Sequence, residues 1–273
     1  MPHSMQDNMI LTSENYFSPE ALTEYFSVSQ YKDFVGTMGQ RGCEAMALAK
    51  MRGEWKPELT KALLIGSYVD AHFEGTLDVF KAQHPEICNK NGELLAAFEH
   101  ANTVIARIER DAYFMKYLGG EKQVIFTGEI FGVKWKCKID SLIRGICLVD
   151  LKVMRAIRDS FWVKDHGYMS FVEFWGYDIQ AAIYQRLTEI KTGKRLDFFI
   201  AAATKEQFPD IEVIGFTQHD LDNIISTVAP NVERIKQLKA GKADPDRCEN
   251  CDYCKATKQL TKPVHFSELI LGI

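Results

Sequence analysis

Three residues in the middle of the chain have the types and spacing of a metal-dependent hydrolytic centre: Asp140, Asp150 and Lys152. Asp150 and Lys152 are two apart at the end of the apolar run Ile146-Cys147-Leu148-Val149, so on a strand they share one face. A carboxylate ending a buried strand carries a desolvation cost that calls for a partner. Asp140 closes an alternation of Val133, Trp135, Cys137 and Ile139 with Lys134, Lys136 and Lys138, which predicts a strand with one apolar and one cationic face. A tight turn at Gly145 makes the two strands hairpin partners and lets the carboxylates and the lysine converge. Two hard oxygen ligands suit Mg²⁺ or Mn²⁺, which recruits phosphate oxygens. A lysine beside them can orient or deprotonate a water and offset charge on phosphorus. A second group is Cys248, Cys251 and Cys254, with metal-ligand spacing but one thiolate short of a tetrahedral site.

The elements that must position these groups follow from periodicity. Ser18-Pro19-Glu20 opens a first helix, a second starts near Ser27 or Ser29, and a third covers Cys43 to Met51. Helical periodicity returns over 58–75 and over 93–117. Strands are expected from Phe131 and from Ile146, then a long helix around 172–192 and strands over 196–203 and 211–216. Thr217 to Asp220 reads as a capping box starting a helix that runs to Lys239 and stops at Gly241. This is an α/β protein: a central mixed β-sheet flanked by helices, with a helical N-terminal part. Residues 1–8 read as a flexible lead-in and 9–273 as one domain. Its helical part is 9–117, its α/β core 118–240 and its Cys-containing tail 241–273.

The chain has 273 residues, 46% apolar and 26% charged, with a formal net charge of −4, so no global positive field announces nucleic acid. Locally the balance reverses: residues 131–158 hold seven basic side chains (Lys134, Lys136, Lys138, Arg144, Lys152, Arg155, Arg158) against Asp140 and Asp150. A basic patch beside a metal is what a phosphate backbone needs. Phe161, Trp162 and Trp175 lie near enough to stack on bases at a frayed end, although core packing is their ordinary use. No apolar run is long enough to span a bilayer. The N-terminus lacks the basic start and apolar stretch of an export signal, so a cytoplasmic protein with reduced thiols is expected.

Asp140 followed by Asp150-x-Lys152 resembles the core motif of the PD-(D/E)XK nuclease superfamily, with Ile139 where the superfamily often has proline. Ser27 to Phe34 resembles the opening helix of RecE-like phage exonucleases. Gly66 to His72 resembles the helix that carries a Gly-x-x-x-His motif, and Gln180 to Tyr184 resembles their Gln-x-x-x-Tyr helix. The resemblance runs, with gaps, from 27 to 184. It implies metal binding by Asp140, Asp150 and the Leu151 carbonyl, with Lys152 acting on the water. It implies DNA contacts from Gln180 and Tyr184, to which the patch adds Lys136 and Lys138. Glu121 is a candidate additional acid. The motif histidine's place, four after Gly66, is held by Asp70, and His72 comes two later; only one can face the metal, and register favours Asp70.

The implied activity is hydrolysis of linear double-stranded DNA from its ends in phage-type recombination, with a RecT-like single-strand annealing protein as partner and a homo-oligomer as the assembly. Other readings are an endonuclease or single-strand nuclease of the same superfamily, or a non-catalytic DNA-binding protein with a Cys-bound metal. The RecB-like branch also implies Cys43 as fourth ligand of an iron–sulfur cluster or Zn²⁺ with Cys248, Cys251 and Cys254. Cys88, Cys137 and Cys147 read as buried thiols.

Overall fold

The computed structural model describes residues 9–266; the expected lead-in at 1–8 lies outside them. Seven helices precede or enter the sheet: α1 (Pro19–Glu24), α2 (Val28–Val35), α3 (Glu44–Met51), α4 (Lys61–Glu74), α5 (Leu77–Gln83), α6 (Ala96–Glu109) and α7 (Ala112–Tyr117). The strands are β1 (Glu121–Ile130), β2 (Val133–Ile143), β3 (Cys147–Met154), β4 (Ser160–Val163) and β5 (Gly167–Ser170). There follow α8 (Phe171–Phe174), α9 (Tyr177–Thr192), β6 (Asp197–Thr204), β7 (Ile211–Gly215), α10 (Gln218–Lys239) and α11 (Asp252–Ala256). The main sheet has the order β1-β2-β3-β6-β7, and β4-β5 is a separate hairpin. Only β3 and β6 are parallel; they are joined through α9, so the sheet is mixed as expected.

Both faces of the sheet are covered, and β3 divides its side chains between them. Leu148 packs with Cys137, Ile139, Ile183, Leu187 and Val228 on the face carrying α2, α3, α9 and α10. Cys147, Val149 and Leu151 pack with Val69, Phe98 and Ile105 on the face carrying α4 and α6. A strand buried on both faces reads as a continuous apolar run, as 147–149 does; Ile146, the expected first residue of the strand, lies in the turn and is 66% exposed.

The sequence reading needs four adjustments. Strand β1 precedes Phe131. Phe131 and Gly132 are instead the two-residue hairpin loop, both at positive φ (54° and 70°), and β2 starts at Val133. The helix over 93–117 breaks at Arg110-Asp111, because the Asp111 carboxylate accepts from the N–H groups of Tyr113 and Phe114 and starts α7. The helix around 172–192 breaks at Gly176, which takes a left-handed φ of 62°. The cationic face of β2 is not free: the segment from Tyr16 to Glu24 lies over it, where Lys134 meets Glu24 at 2.7 Å and Lys136 is 1% exposed. The capping box at Thr217 is present, with the Asp220 carboxylate accepting from both the Thr217 N–H and its hydroxyl.

Candidate metal centre and cysteine cluster

Strands β2 and β3 pair from Ile143↔Cys147 to Ser141↔Val149, and there the ladder stops. The next residues outward are Asp140 and Asp150, so the strands part where the two carboxylates sit. Asp140 fills the gap with its side chain: its Oδ2 accepts the Leu151 N–H at 3.0 Å, in place of a β2 carbonyl. A strand residue directs its N–H and C=O to the same side, so the Leu151 carbonyl faces the same gap. Across it, β1 departs from regular geometry opposite Asp140. Gln123 has φ 54°, and its amide donates to Glu74 Oε1 at 2.5 Å, with Asp140 Oδ1 at 3.4 Å. A non-glycine residue at positive φ inside a strand stores strain of the kind found at functional sites.

Asp150 is buried and held from two directions. Its Oδ1 accepts from Gln180 Nε2 on α9 at 2.6 Å, and its Oδ2 lies 2.5 Å from Lys152 Nζ on the same strand face. Oδ2 is buried, and the Lys152 ammonium is its counter-charge. Asp70, from α4 on the opposite face of the sheet, completes the acidic group. Removal from water raises its carboxyl well above the usual range, and Asp140 adds to the effect. Asp140 is pushed to about 7, again by desolvation first and the charge of Asp150 second. Glu74, one turn after Asp70, is also raised by burial. Desolvation pulls the Lys152 ammonium down, but Asp150 and Asp140 overcome it and hold it above its ordinary value. Lys152 therefore stands as a cationic donor. Asp70 and Asp140 are raised by burial and by like charge even though Lys152, Lys122, Lys138 and Lys32 act on the same group of carboxylates. Buried carboxylates held above their usual range have the donor chemistry of a divalent-cation site, and Asp70, Asp140, Asp150 and the Leu151 carbonyl are the groups that would hold one. Beside them opens a groove of about 380 Å³ lined in part by Ser67, Asp70, Glu74, Gln83, Lys138 and Asp140.

His72 turns away. Its Nε2 is 2.8 Å from Glu109, and the ring is about one-third exposed, so it is not a member of the acidic group. Glu121 pairs with Arg144 at 2.5 Å near the closed end of the β2–β3 hairpin and does not join the centre. Lys136 is corrected as a DNA contact: its ammonium donates to the Tyr16 carbonyl beneath the Tyr16 ring, and burial lowers it to about 8. Gln180 reaches Asp150 rather than the surface. Tyr184, one turn later, is half-buried with its ring edge-on to Phe198 at 6.1 Å, so neither is displayed as a DNA contact. Sequence reasoning missed Glu74 and Gln123. The i, i+4 spacing of Asp70 and Glu74 was the available signal for the first.

The expected fourth cysteine of the thiol cluster is in place. The thiols of Cys43, Cys248, Cys251 and Cys254 all lie within 4.8 Å of one another, with Cys43–Cys254 at 3.6 Å and Cys248–Cys254 at 3.9 Å. Cys43 caps the start of α3 and the other three surround the start of α11, so the cluster joins the two ends of the described chain. Cys248 Sγ accepts from the N–H groups of Asn250 and Cys251, and Cys251 Sγ from that of Cys254. Against the effect of burial, those donors lower Cys248 to about 7. Cys137 and Cys147 are buried as expected, while Cys88 is half-buried.

The family described as "PDDEXK-like domain of unknown function (DUF3799)" matches residues 27–257. This chain belongs to that PDDEXK-like family. A crystal structure described as that of a "Putative exonuclease" from Eubacterium rectale is 54% identical, covering 97% of this chain and 100% of that one, with a TM-score of 0.95. That of SSO0001 is 15% identical over 73% of this chain and 84% of that one, at a TM-score of 0.31 that carries no argument. No curated protein matches. The mixed sheet flanked by helices is thus the PDDEXK-like fold. No helix among the described residues is long and apolar enough to cross a membrane.

The Gly66 helix gives a first test. Asp70→Ala is expected to raise the Mg²⁺ or Mn²⁺ concentration needed for half-maximal activity about tenfold or more. His72→Ala should leave that concentration within about twofold, because the ring meets Glu109. A metal titration of both variants decides; an unchanged titration for Asp70→Ala removes it from the ligand set. Gln180 gives a second. Its Nε2 orients Asp150, so Gln180→Ala is expected to cost about 10–100-fold in activity while Gln180→Glu, which sets two carboxylates together, costs more. Steady-state rates would show it, and a fully active alanine variant would remove the positioning role.

Proposed function

We propose that the protein is a divalent-metal-dependent deoxyribonuclease that degrades linear double-stranded DNA from its ends. The observation that carries this reading is the meeting of Asp140, Asp150 and Lys152 where β2 and β3 part, inside a chain of the PDDEXK-like family. The description of the Eubacterium rectale relative as a "Putative exonuclease" supports action at ends.

Asp70, Asp140, Asp150 and the Leu151 carbonyl would hold Mg²⁺ or Mn²⁺. When bound, the cation supplies an acidified water and a counter-charge for phosphate oxygens. Lys152 donates to the attacking water or to a phosphate oxygen and offsets the charge that builds on phosphorus. Gln180 fixes Asp150 through Oδ1, while Lys152 meets Oδ2. Lys138, on the wall of the groove, receives the backbone of the strand. A P–O bond to water forms, the scissile P–O bond breaks, and a phosphate end and a hydroxyl end result.

The four thiols are read as the site of one tetrahedral zinc ion rather than of a four-iron cluster. A Zn–S distance of about 2.3 Å places thiolates about 3.8 Å apart, close to the observed 3.6 and 3.9 Å. A cubane, with each thiolate on a different iron, spreads them farther.

The test of the activity is digestion of linear duplex, closed circular duplex and single-stranded DNA with Mg²⁺, Mn²⁺ or chelator. Metal-dependent loss of linear duplex with the circle intact is expected. Cutting of the circle would make the protein an endonuclease, and binding without hydrolysis would remove the enzyme.

A further inference from the structure

The β4–β5 hairpin joins β3, which carries Lys152, to the helices leading to Gln180, and nothing in the catalytic reading uses it. Its two faces differ. Phe161, on the inner face, stacks on Phe174 with centroids 4.1 Å apart and planes at 16°. Phe174 is in turn seated on Gly39, where a Cβ would strike its ring. On the outer face, Trp162 and Tyr168 are directly opposite in the ladder, edge to face at 5.2 Å. They are 67% and 74% exposed. Two large rings set side by side in water on an anchored hairpin form a stacking platform without an occupant in this chain.

The surroundings select the occupant. From Lys152 to His166 the chain holds Lys152, Arg155, Arg158 and Lys164 against Asp159 and Asp165, in a protein of net negative charge. The Arg155 and Arg158 side chains are 81% and 75% exposed, with Arg155 meeting Asp159 and Arg158 meeting Asp210 and Glu212 in solvent-facing ion pairs. The platform is also continuous with the candidate centre. Phe174 meets Trp175, whose carbonyl accepts from Lys32 Nζ at 2.9 Å, and Lys32 and Lys152 both lie over the Tyr177 ring, at 5.0 and 5.3 Å. Aromatic faces flanked by exposed cations suit a nucleic acid whose bases are unpaired, since stacked base pairs offer no free ring face except at an end.

We propose that Trp162 and Tyr168 stack on unpaired bases at a DNA end and hold the frayed terminus beside the cutting site. This rests on the nuclease reading for its setting, but its test does not require hydrolysis.

The measurement is fluorescence anisotropy in Ca²⁺ with two labelled duplexes, one blunt and one ending in a fork of three unpaired nucleotides per strand. The parent protein is expected to bind the fork about tenfold more tightly than the blunt end. Trp162→Ala/Tyr168→Ala should lose that preference, while blunt-end affinity stays within about twofold. Trp162→Phe/Tyr168→Phe keeps two rings and should retain it. A parent with no preference, an alanine pair that keeps it, or a phenylalanine pair that loses it each overturns the proposal. An alanine pair with altered oligomeric mass and an unaltered fork preference assigns the rings to protein contact and overturns it too. Asp150→Asn is expected to keep the fork preference. A protein that prefers forks but never hydrolyses DNA thus fails the nuclease reading alone, and one that hydrolyses DNA without preferring forks fails this inference alone.

Discussion

Asp140→Asn is expected to lower hydrolysis by about a thousandfold or more and, in the metal-free protein, to raise the melting temperature. The two effects share a cause. Asp140 is buried within the charge field of Asp150 and itself acts on Asp70, and its pKa rises to about 7 from desolvation first and like charge second. An acid whose folded pKa is raised binds its proton more tightly in the folded state. Its contribution is fully present below the unfolded value near 4 and is lost as pH climbs toward 7. At pH 8 the parent carries the whole cost of the ionised carboxylate, whereas asparagine carries none and can still accept from Leu151 N–H. For a chain of this size each kcal/mol moves the melting temperature by about 2–4 °C. Melting in chelator at pH 5 and pH 8 should therefore show the variant gaining most at pH 8, with divalent metal restoring the parent. A variant less stable than the parent at pH 8 would show that Asp140 is not in a charge-crowded site. Asp150→Asn is expected to be as inactive but without the gain, because it strips Lys152 of its closest counter-charge.

Cys254→Ser is expected to release the metal of the thiol cluster and lower the melting temperature by about 10 °C. Cys254 is 1% exposed and Cys43 2%, so the cluster is a buried fastening between the start of α3 and the tail. A ligand bound only by the folded state stabilises it by about 4 kcal/mol at a thousand times its dissociation constant, which sets the scale. The Glu44–Arg234 ion pair at 2.7 Å and the Asp246 N–H on Glu44 hold the same region together, so the variant should remain folded at room temperature. Metal analysis and calorimetry would check it. One zinc per chain in the parent is the expected result, and iron with visible absorption would replace the single-ion assignment. A metal-free, equally stable parent would end it.

How far the sequence foretold this molecule depended on whether the signal was local. Leu148, Val149, Asp150 and Lys152 announced strand, face and chemistry together, because period-two geometry needs no knowledge of the rest of the chain. The Cys248-x2-Cys251-x2-Cys254 spacing was local too, and its fourth ligand came from family resemblance. What was hidden came from distant neighbours. Lys136 lies on the cationic side of a strand but is covered by Tyr16, 120 residues earlier. Gln180 has the look of a surface helix residue until α9 is laid against β3, which turns its amide onto Asp150. The β4–β5 hairpin, four residues a strand, was too short for periodicity, and Trp162 and Trp175, read mainly as core, are 67% and 42% exposed. The parting of β2 from β3 could not be read at all, since it depends on a side chain replacing a ladder bond.

The cation site proposed at that parting is tested most directly by crystals soaked in Mn²⁺. An anomalous difference peak is predicted among the Asp70, Asp140 and Asp150 carboxylates and the Leu151 carbonyl, absent in Asp150→Asn crystals soaked alike. A well-ordered soaked crystal with no peak there, or one whose manganese sits only at His72 and Glu109, would contradict it.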